Sequence, residues 1–172
     1  MSFQQKLQII AALSALVGLV AVGGAGRSRS SLAPAVLLAT VSGALLIVGI
    51  VSHTLFRHVV QIAPVVAALL LVVRRSTVGM AAAAPVYAFW LLVMCGIWLF
   101  LLGIAPVFTG RFSVVEIALT ITIGAASFAG LIATQRSAQP ASLLWRIVTV
   151  VGFAVFQWAA MWASVQPFVA RR

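Results

Sequence analysis

The stretch Ala33–Ser52 has the sequence APAVLLATVSGALLIVGIVS and contains no charged side chain. A helix needs about 20 mainly apolar residues to cross the hydrocarbon core of a bilayer, and this stretch has that length. Its apolar residues are continuous, whereas the strands of a membrane β-barrel alternate apolar and polar residues. The stretch therefore predicts a transmembrane helix.

The rest of the chain follows the same pattern, with apolar runs separated by arginines. In a bilayer core only helices and closed barrels satisfy every backbone hydrogen bond internally, so the continuous runs predict an all-α bundle. Because the connections are short, we expect neighbouring helices to pack as antiparallel hairpins. Residues 1–172 form one predicted integral membrane domain, and about six spans are predicted at residues 9–25, 33–52, 55–73, 85–105, 114–134 and 144–165.

The composition excludes a water-soluble fold. Only 7% of the residues are charged and 64% are hydrophobic, whereas soluble domains carry about 25% charged residues. A net charge of +10 would suit nucleic-acid binding if the basic residues were clustered. They occur singly or in pairs between apolar runs, where they mark the ends of spans and meet anionic head groups. We therefore expect a lipid bilayer as the partner, in a bacterial cytoplasmic membrane, and not nucleic acid.

The third span has two readings, because Pro64 lies inside it. A helix could begin near Leu55, kink at Pro64 and let Arg57 reach the membrane surface. The other reading is a short re-entrant helix that begins near Ile62. The first run could also be a secretory signal, but its basic region is weak and no clean A-x-A site precedes Arg27. Six spans divide the basic residues five against six between the two ends, so the positive-inside rule predicts no orientation.

Three spans carry small residues at helical spacing. Such residues let helices approach closely in lipid, where apolar side chains alone give no preference for a helix over a lipid tail. We expect these faces to pack against helices of this chain or of another. The predicted packing residues are Ala11, Ser14, Ala15, Gly18 and Ala21 in the first span, Ala35, Ala39, Ser42, Gly43 and Gly49 in the second, and Ala118, Thr122, Ala125, Ala126, Ala129, Gly130 and Thr134 in the fifth.

Aromatic residues are expected near the membrane surfaces, because amphipathic rings favour the head-group layer. Trp145 begins the sixth span, and Trp158 and Trp162 lie towards its end. Tyr87 and Trp90 lie near the predicted start of the fourth span. All five residues are predicted to anchor the bundle at an interface.

Glu116 is the only acidic residue of the chain. Carboxylates inside membranes often drive proton or cation exchange. The sequence Ser113-Val114-Val115-Glu116, however, has the capping-box pattern directly before an apolar run, and a negative charge suits the start of a helix. Arg111 is near enough in sequence to pair with it. We interpret Ser113 and Glu116 as a helix cap, with a coupling site as the alternative.

His53, Arg57, His58 and Gln61 form the densest polar cluster of the sequence. The simplest interpretation is an interfacial turn that meets water and phosphate. The alternative is a pore mouth or a proton-sensitive gate, because histidine titrates near neutral pH. The two histidines are five residues apart, about 140° around a helix, so one helix cannot place both on a haem iron. Zinc needs three or four ligands, and Cys95 is the only cysteine.

Polar residues also follow one side of the sixth span, namely Arg146, Thr149, Gln157 and Ser164. Gln157 lies near mid-membrane, where an amide needs a partner, and we expect a hydrogen bond between helices rather than a substrate path. The sequence contains no acidic pair, no Ser–His–Asp set with a free acid and no phosphate-binding loop. We therefore expect a protein without enzymatic activity.

Packing surface combined with scarce polar chemistry favours a non-catalytic scaffold, anchor or assembly subunit, working as a homo-oligomer or with other membrane subunits. The alternative is a small oligomeric channel or secondary transporter that uses Glu116 or the His53–Gln61 cluster. A haem or quinone carrier is a third and weaker hypothesis. No cofactor is expected.

Overall fold

The computed structural model describes residues 2–23, 32–106, 110–137 and 141–170. This part of the chain is an all-α bundle, as predicted, and six of its helices are long and apolar enough to cross a membrane. Large apolar side chains such as Leu16, Val20 and Val155 are exposed on its outside, as suits an integral membrane protein. The helices are α1 (Phe3–Val22), α2 (Leu32–Val51), α3 (Leu55–Val73), α4 (Gly79–Leu101), α5 (Val114–Arg136), α6 (Leu143–Ser164) and the short α7 (Pro167–Ala170).

Helix α4 lies at the centre of the bundle. Its residues from Ala81 to Trp90 are all buried, and it packs against the other five long helices. Those five form a ring in the order α1, α6, α3, α2, α5, in which the α1–α5 contact is the smallest. Because α4 is apolar on every side, a central position suits its sequence.

The expected hairpins form only in part. Consecutive helices pack together in the pairs α2–α3, α3–α4 and α4–α5, but α1 does not pack on α2, and α5 does not pack on α6. The hairpin prediction is therefore wrong at these two connections. Helices α1 and α2 occupy positions of the ring that do not touch, and so do α5 and α6.

Two helices begin earlier than the apolar runs suggest. Helix α1 begins at Phe3, because Ser2 and Gln5 form a capping box in which the Gln5 N–H donates to Ser2 Oγ over 3.2 Å. Helix α4 begins at Gly79, so Pro85 lies inside it and does not start it. It ends at Leu101, before Gly103 in a left-handed conformation with φ 70°.

The third span has the longer of its two predicted forms. Helix α3 is continuous from Leu55 to Val73 with Pro64 inside it, so the short helix from Ile62 is wrong. Gln61, Pro64 and Ala68 are buried on the inward face of this helix.

The small-residue stripe of α1 packs as predicted for three of its five members, whereas Ala11 and Ala15 are only half-buried. Ser14, Gly18 and Ala21 are buried, and a Cβ added at Gly18 would lie 3.2 Å from the Pro85 nitrogen of α4. Proline has no N–H there, and the bare glycine lets the two backbones approach.

The stripe of α2 is confirmed at Gly49, which is buried, and in part at Ala35, which is half-buried against the core. Helix α2 packs inward through larger side chains, among them Leu38, Val41 and Leu45, while Ala39 is exposed. A Cβ at Gly43 would meet nothing within 4 Å.

The stripe of α5 is divided between two faces. Ala126, Gly130 and Thr134 are buried, as predicted. The other members of the set are exposed, and the prediction is wrong for them. The predicted ladder repeats every four residues, which turns it by about 40° at each step, so it crosses from the outer to the inner side of the helix. The exposed residues are Ala118, Thr122, Ala125 and Ala129.

The aromatic prediction is also divided. Trp145 and Trp162, near the two ends of α6, are 62% and 42% exposed, as anchoring residues would be. Tyr87 and Trp90 are 0% and 2% exposed, so they are not interfacial anchors. Helix α4 begins at Gly79, which moves both rings into its buried middle.

Candidate functional site: a cavity at one end of the bundle

A half-enclosed cavity of about 500 Å³ lies at the end of the bundle where α1, α3 and α5 begin and α2, α4 and α6 end. We call this the Glu116 end. All six long helices contribute side chains to the cavity. Its volume falls within the range of about 300–1,000 Å³ that is usual for ligand pockets.

The cavity reaches the middle of the bundle. Trp90 lines it and is the central residue of α4, eleven residues from each end of that helix. At 1.5 Å per residue, Trp90 lies about 16 Å from the end of α4, which is half the thickness of a hydrocarbon core of about 30 Å. The cavity therefore extends through about one leaflet.

The opposite half of the bundle is tightly packed around α4, although a half-open groove of about 420 Å³ lies there between α2 and α5. The α4 residues from Ala81 to Phe89 are buried, and the Tyr87 hydroxyl donates a hydrogen bond to the Pro34 carbonyl oxygen of α2. A Cβ added at Gly130 of α5 would overlap the Tyr87 ring. Glycine at this position lets α5 close against α4.

The mouth of the cavity is polar, and its deeper walls are mostly apolar apart from Gln61 and Thr120. The mouth residues lie at or near helix ends, and they bring together two regions that the sequence analysis treated separately, the start of α5 and the start of α3. The mouth contains Lys6, Ser52, Thr54, Arg57, His58 and Glu116, and the deeper walls include Leu45, Trp90, Val93, Met94, Ile123 and Met161.

Glu116 is both a helix cap and a cavity residue. Its Oε2 accepts hydrogen bonds from the Ser113 backbone N–H over 2.7 Å and from Ser113 Oγ over 2.8 Å, while its own N–H donates to Ser113 Oγ over 3.3 Å. The capping box is therefore present. The expected pairing with Arg111 is not found, since Arg111 is exposed and no ion pair joins these two described residues. The carboxylate is held by the cap instead.

The turn between α2 and α3 separates the two histidines of the His53–Gln61 cluster. His58 lines the cavity, and its Nδ1 lies 3.1 Å from the Thr54 carbonyl oxygen. His53 is exposed, has φ 55° and does not line the cavity. Gly49 allows the turn, because a Cβ there would lie 3.0 Å from His58 Cβ.

Arg57 faces the cavity rather than the outer surface. It is half-buried and lines the mouth, and its Nε is buried without a hydrogen-bond partner in the described part of the chain. The sequence offers one acidic side chain, and Ser113 already holds it. Because the half-buried guanidinium has no acceptor among the described residues, Arg57 is able to gain a hydrogen bond from an acceptor that enters the cavity.

Gln61 and Gln157 join α3 to α6 beside the cavity. Gln61 Nε2 donates to Ser164 Oγ over 2.9 Å, and Gln157 Nε2 donates to the Gln61 carbonyl oxygen over 3.4 Å. Gln157 thus makes the expected bond between helices, although its Oε1 is buried without a partner in the described residues.

Sequence reasoning missed three cavity residues. Lys6 lies in the first turns of α1, where its Nζ donates to the Pro106 carbonyl oxygen over 3.0 Å, and the S-x-x-Q pattern from Ser2 would have placed it there. Thr120 lies four residues after Glu116, a spacing that puts both on one face. Trp90 carried no signal, because its burial depends on the position of α4. Its Nε1 is buried without a partner among the described residues.

The described residues contain no group of three or more His, Cys, Asp or Glu side chains that could hold a metal ion. Comparison with known proteins gives no family: the chain matches no family model, and no curated protein or solved structure is significantly similar to it.

Proposed function

We propose that this protein is a small membrane carrier, a secondary transporter that takes up its ligand in the cavity from the Glu116 end. The observation that supports this most is the cavity itself, which reaches mid-membrane from one end while the other half is tightly packed. Binding sites near the bilayer midplane, open to one side at a time, are the common arrangement of secondary transporters.

A carrier accounts for the closed half better than a channel does. A channel needs a continuous path whose binding sites release ions on both sides. Here Tyr87 fills the space above Gly130 and is held by Pro34, so a ligand at the level of Trp90 has no path onward. Passage requires α4 and α5 to separate in this half, as alternating access supplies. We place this carrier in a bacterial cytoplasmic membrane, without a catalytic step.

Cysteine accessibility tests the carrier hypothesis. In a Cys95→Ala background, Thr120→Cys places a thiol in the cavity, and Ser127→Cys places one in the closed half, where Ser127 is fully buried. Cysteine is close to serine in size, and Ser127 Oγ has no hydrogen-bond partner in the described residues to lose. We expect a membrane-impermeant methanethiosulfonate to modify Cys at position 120 from the Glu116 end, and at position 127 slowly from the opposite end.

The two thiols separate the possible mechanisms. Modification at position 120 together with complete protection at position 127 from both sides would contradict alternating access. Fast modification at both positions from the Glu116 end would indicate a continuous pore. The control for folding is that the far-UV circular dichroism spectra of both variants match the spectrum of the Cys95→Ala protein.

A scaffold or assembly subunit is the second candidate, and the outer face of α5 supports it. Ala118, Thr122, Ala125 and Ala129 are exposed after the packing within the chain is complete, and small residues of this kind favour close helix contacts in lipid. Under this hypothesis, Ala125→Cys crosslinks to a second copy or to a co-purifying subunit in mild detergent, whereas Val155→Cys on exposed α6 does not. Equal crosslinking at both positions would reject a specific interface.

A further inference from the structure

We infer that the cavity binds an amphiphile with an oxyanion head, the head lying at Arg57 and an apolar chain pointing towards Trp90. This inference rests on the proposed carrier function and names its ligand class. It is drawn from the division of the cavity into a charged mouth and a mostly apolar floor.

The charge of the mouth selects an anion. Lys6 and Arg57 bring two positive charges and Glu116 brings one negative charge, and the Glu116 Oε2 is already occupied by Ser113. The Arg57 guanidinium can only donate hydrogen bonds, and it lines the cavity without an acceptor among the described residues. A carboxylate or phosphate oxygen would supply the missing acceptor, and hydrogen bonds between ionised groups are the strongest of their kind.

The floor selects an apolar chain. Below the mouth the walls carry Leu45, Val93, Met94 and Ile123, and burying an alkyl chain against such residues yields about 0.8 kcal/mol for each methylene. A small inorganic anion would leave these walls unfilled.

The direction of the cavity fixes the orientation of the ligand. The mouth lies at the ends of the helices and the floor at Trp90, about 16 Å deeper along α4. A molecule with its head at Arg57 and its chain at Trp90 is therefore aligned as the lipids of one leaflet are. Such a ligand could be a free organic acid or an anionic membrane lipid, because both carry an oxyanion on an apolar chain.

Fluorescence quenching in nanodiscs tests this geometry. A bromine atom at the end of the dodecanoate chain quenches tryptophan fluorescence only near contact. The contribution of Trp90 is the difference in fluorescence between the unsubstituted protein and Trp90→Phe. In phosphatidylcholine discs we expect saturable quenching of Trp90 by ω-bromododecanoate, and much weaker quenching by the uncharged ω-bromododecanol.

Matched arginine variants identify the head-group contact. Arg57→Gln should weaken dodecanoate binding about ten- to a hundredfold, the loss expected for a hydrogen bond between charged groups. Arg57→Lys keeps the charge and should recover part of this loss. Arg111→Gln removes a charge at the same end outside the cavity and should change the dissociation constant by less than about twofold.

Quenching measured in nanodiscs that contain phosphatidylglycerol shows whether the ligand is a membrane lipid or a free acid. If this lipid displaces the bromo acid from Trp90 without reducing quenching of exposed Trp145, an anionic lipid occupies the site; if it does not, a free acid does. Either result supports the oxyanion class.

These experiments distinguish a wrong ligand class from a wrong carrier hypothesis. The inference would be overturned if the acid and the alcohol bound equally well, or if Arg57→Gln bound dodecanoate as tightly as the unsubstituted protein does. The cavity would then be one for neutral amphiphiles. Absence of Trp90 quenching by every probe would count against the carrier proposal itself.

Discussion

Single residues decide where the helices of this bundle can touch. Gly18 and Gly130 lie where an added Cβ would press on Pro85 and on the Tyr87 ring, whereas Gly43 has open space around it. All three were predicted as packing residues from the same small-residue pattern. The pattern alone cannot separate them, because it records size and spacing but not the direction in which the residue faces.

This difference gives a matched pair of substitutions. Gly130→Ala should destabilise the fold by about 1–3 kcal/mol, the usual range for overpacking, because Tyr87 is fully buried and bound to Pro34. Gly43→Ala should be neutral or stabilising by up to about 1 kcal/mol, since alanine favours the helix. Reversible unfolding in mixed micelles measures both. Equal destabilisation by the two would show that the α4–α5 contact is not the cause.

At the scale of helices, the start of α5 combines a structural role with a place in the cavity. The capping box holds the Glu116 carboxylate at the mouth, next to residues from α1, α2 and α3. The cap and the coupling site were alternatives in the sequence, but the geometry allows one carboxylate to serve both. A charge fixed by a cap keeps its position when a ligand enters.

Two substitutions separate these roles. Ser113→Ala removes the cap and should cost about 1 kcal/mol of stability. Glu116→Gln keeps the S-x-x-Q form of the capping box, so its stability should change by less than about 0.5 kcal/mol, while it removes the only negative side chain of the mouth. We expect Glu116→Gln to alter the rate of ligand transport into proteoliposomes, and Ser113→Ala to leave this rate nearly unchanged. The reverse result would assign Glu116 a structural role alone.

At the scale of the whole molecule, the bundle is organised around α4. The five surrounding helices close tightly on its first half, while they leave the cavity beside its second half. Ala81–Ala84 supply small side chains where the ring is tight, and Val93, Met94 and Ile97 line the open half. The same helix thus carries both the closed and the open part of the proposed carrier.

The sequence by itself determined that lipid surrounds this chain, that it folds as apolar helices and that Ser113 caps α5, while it left open whether α3 begins near Leu55 or near Ile62. These features follow from hydropathy along the chain and from local capping, which need no knowledge of neighbours. Only the tertiary structure decided that α4 is central and that Glu116 meets Arg57 in one cavity. The physical reason is that lipid tails and apolar helix surfaces are about equally apolar. Hydropathy therefore predicts how deep in the membrane a residue lies, but not which face of its helix points towards the other helices.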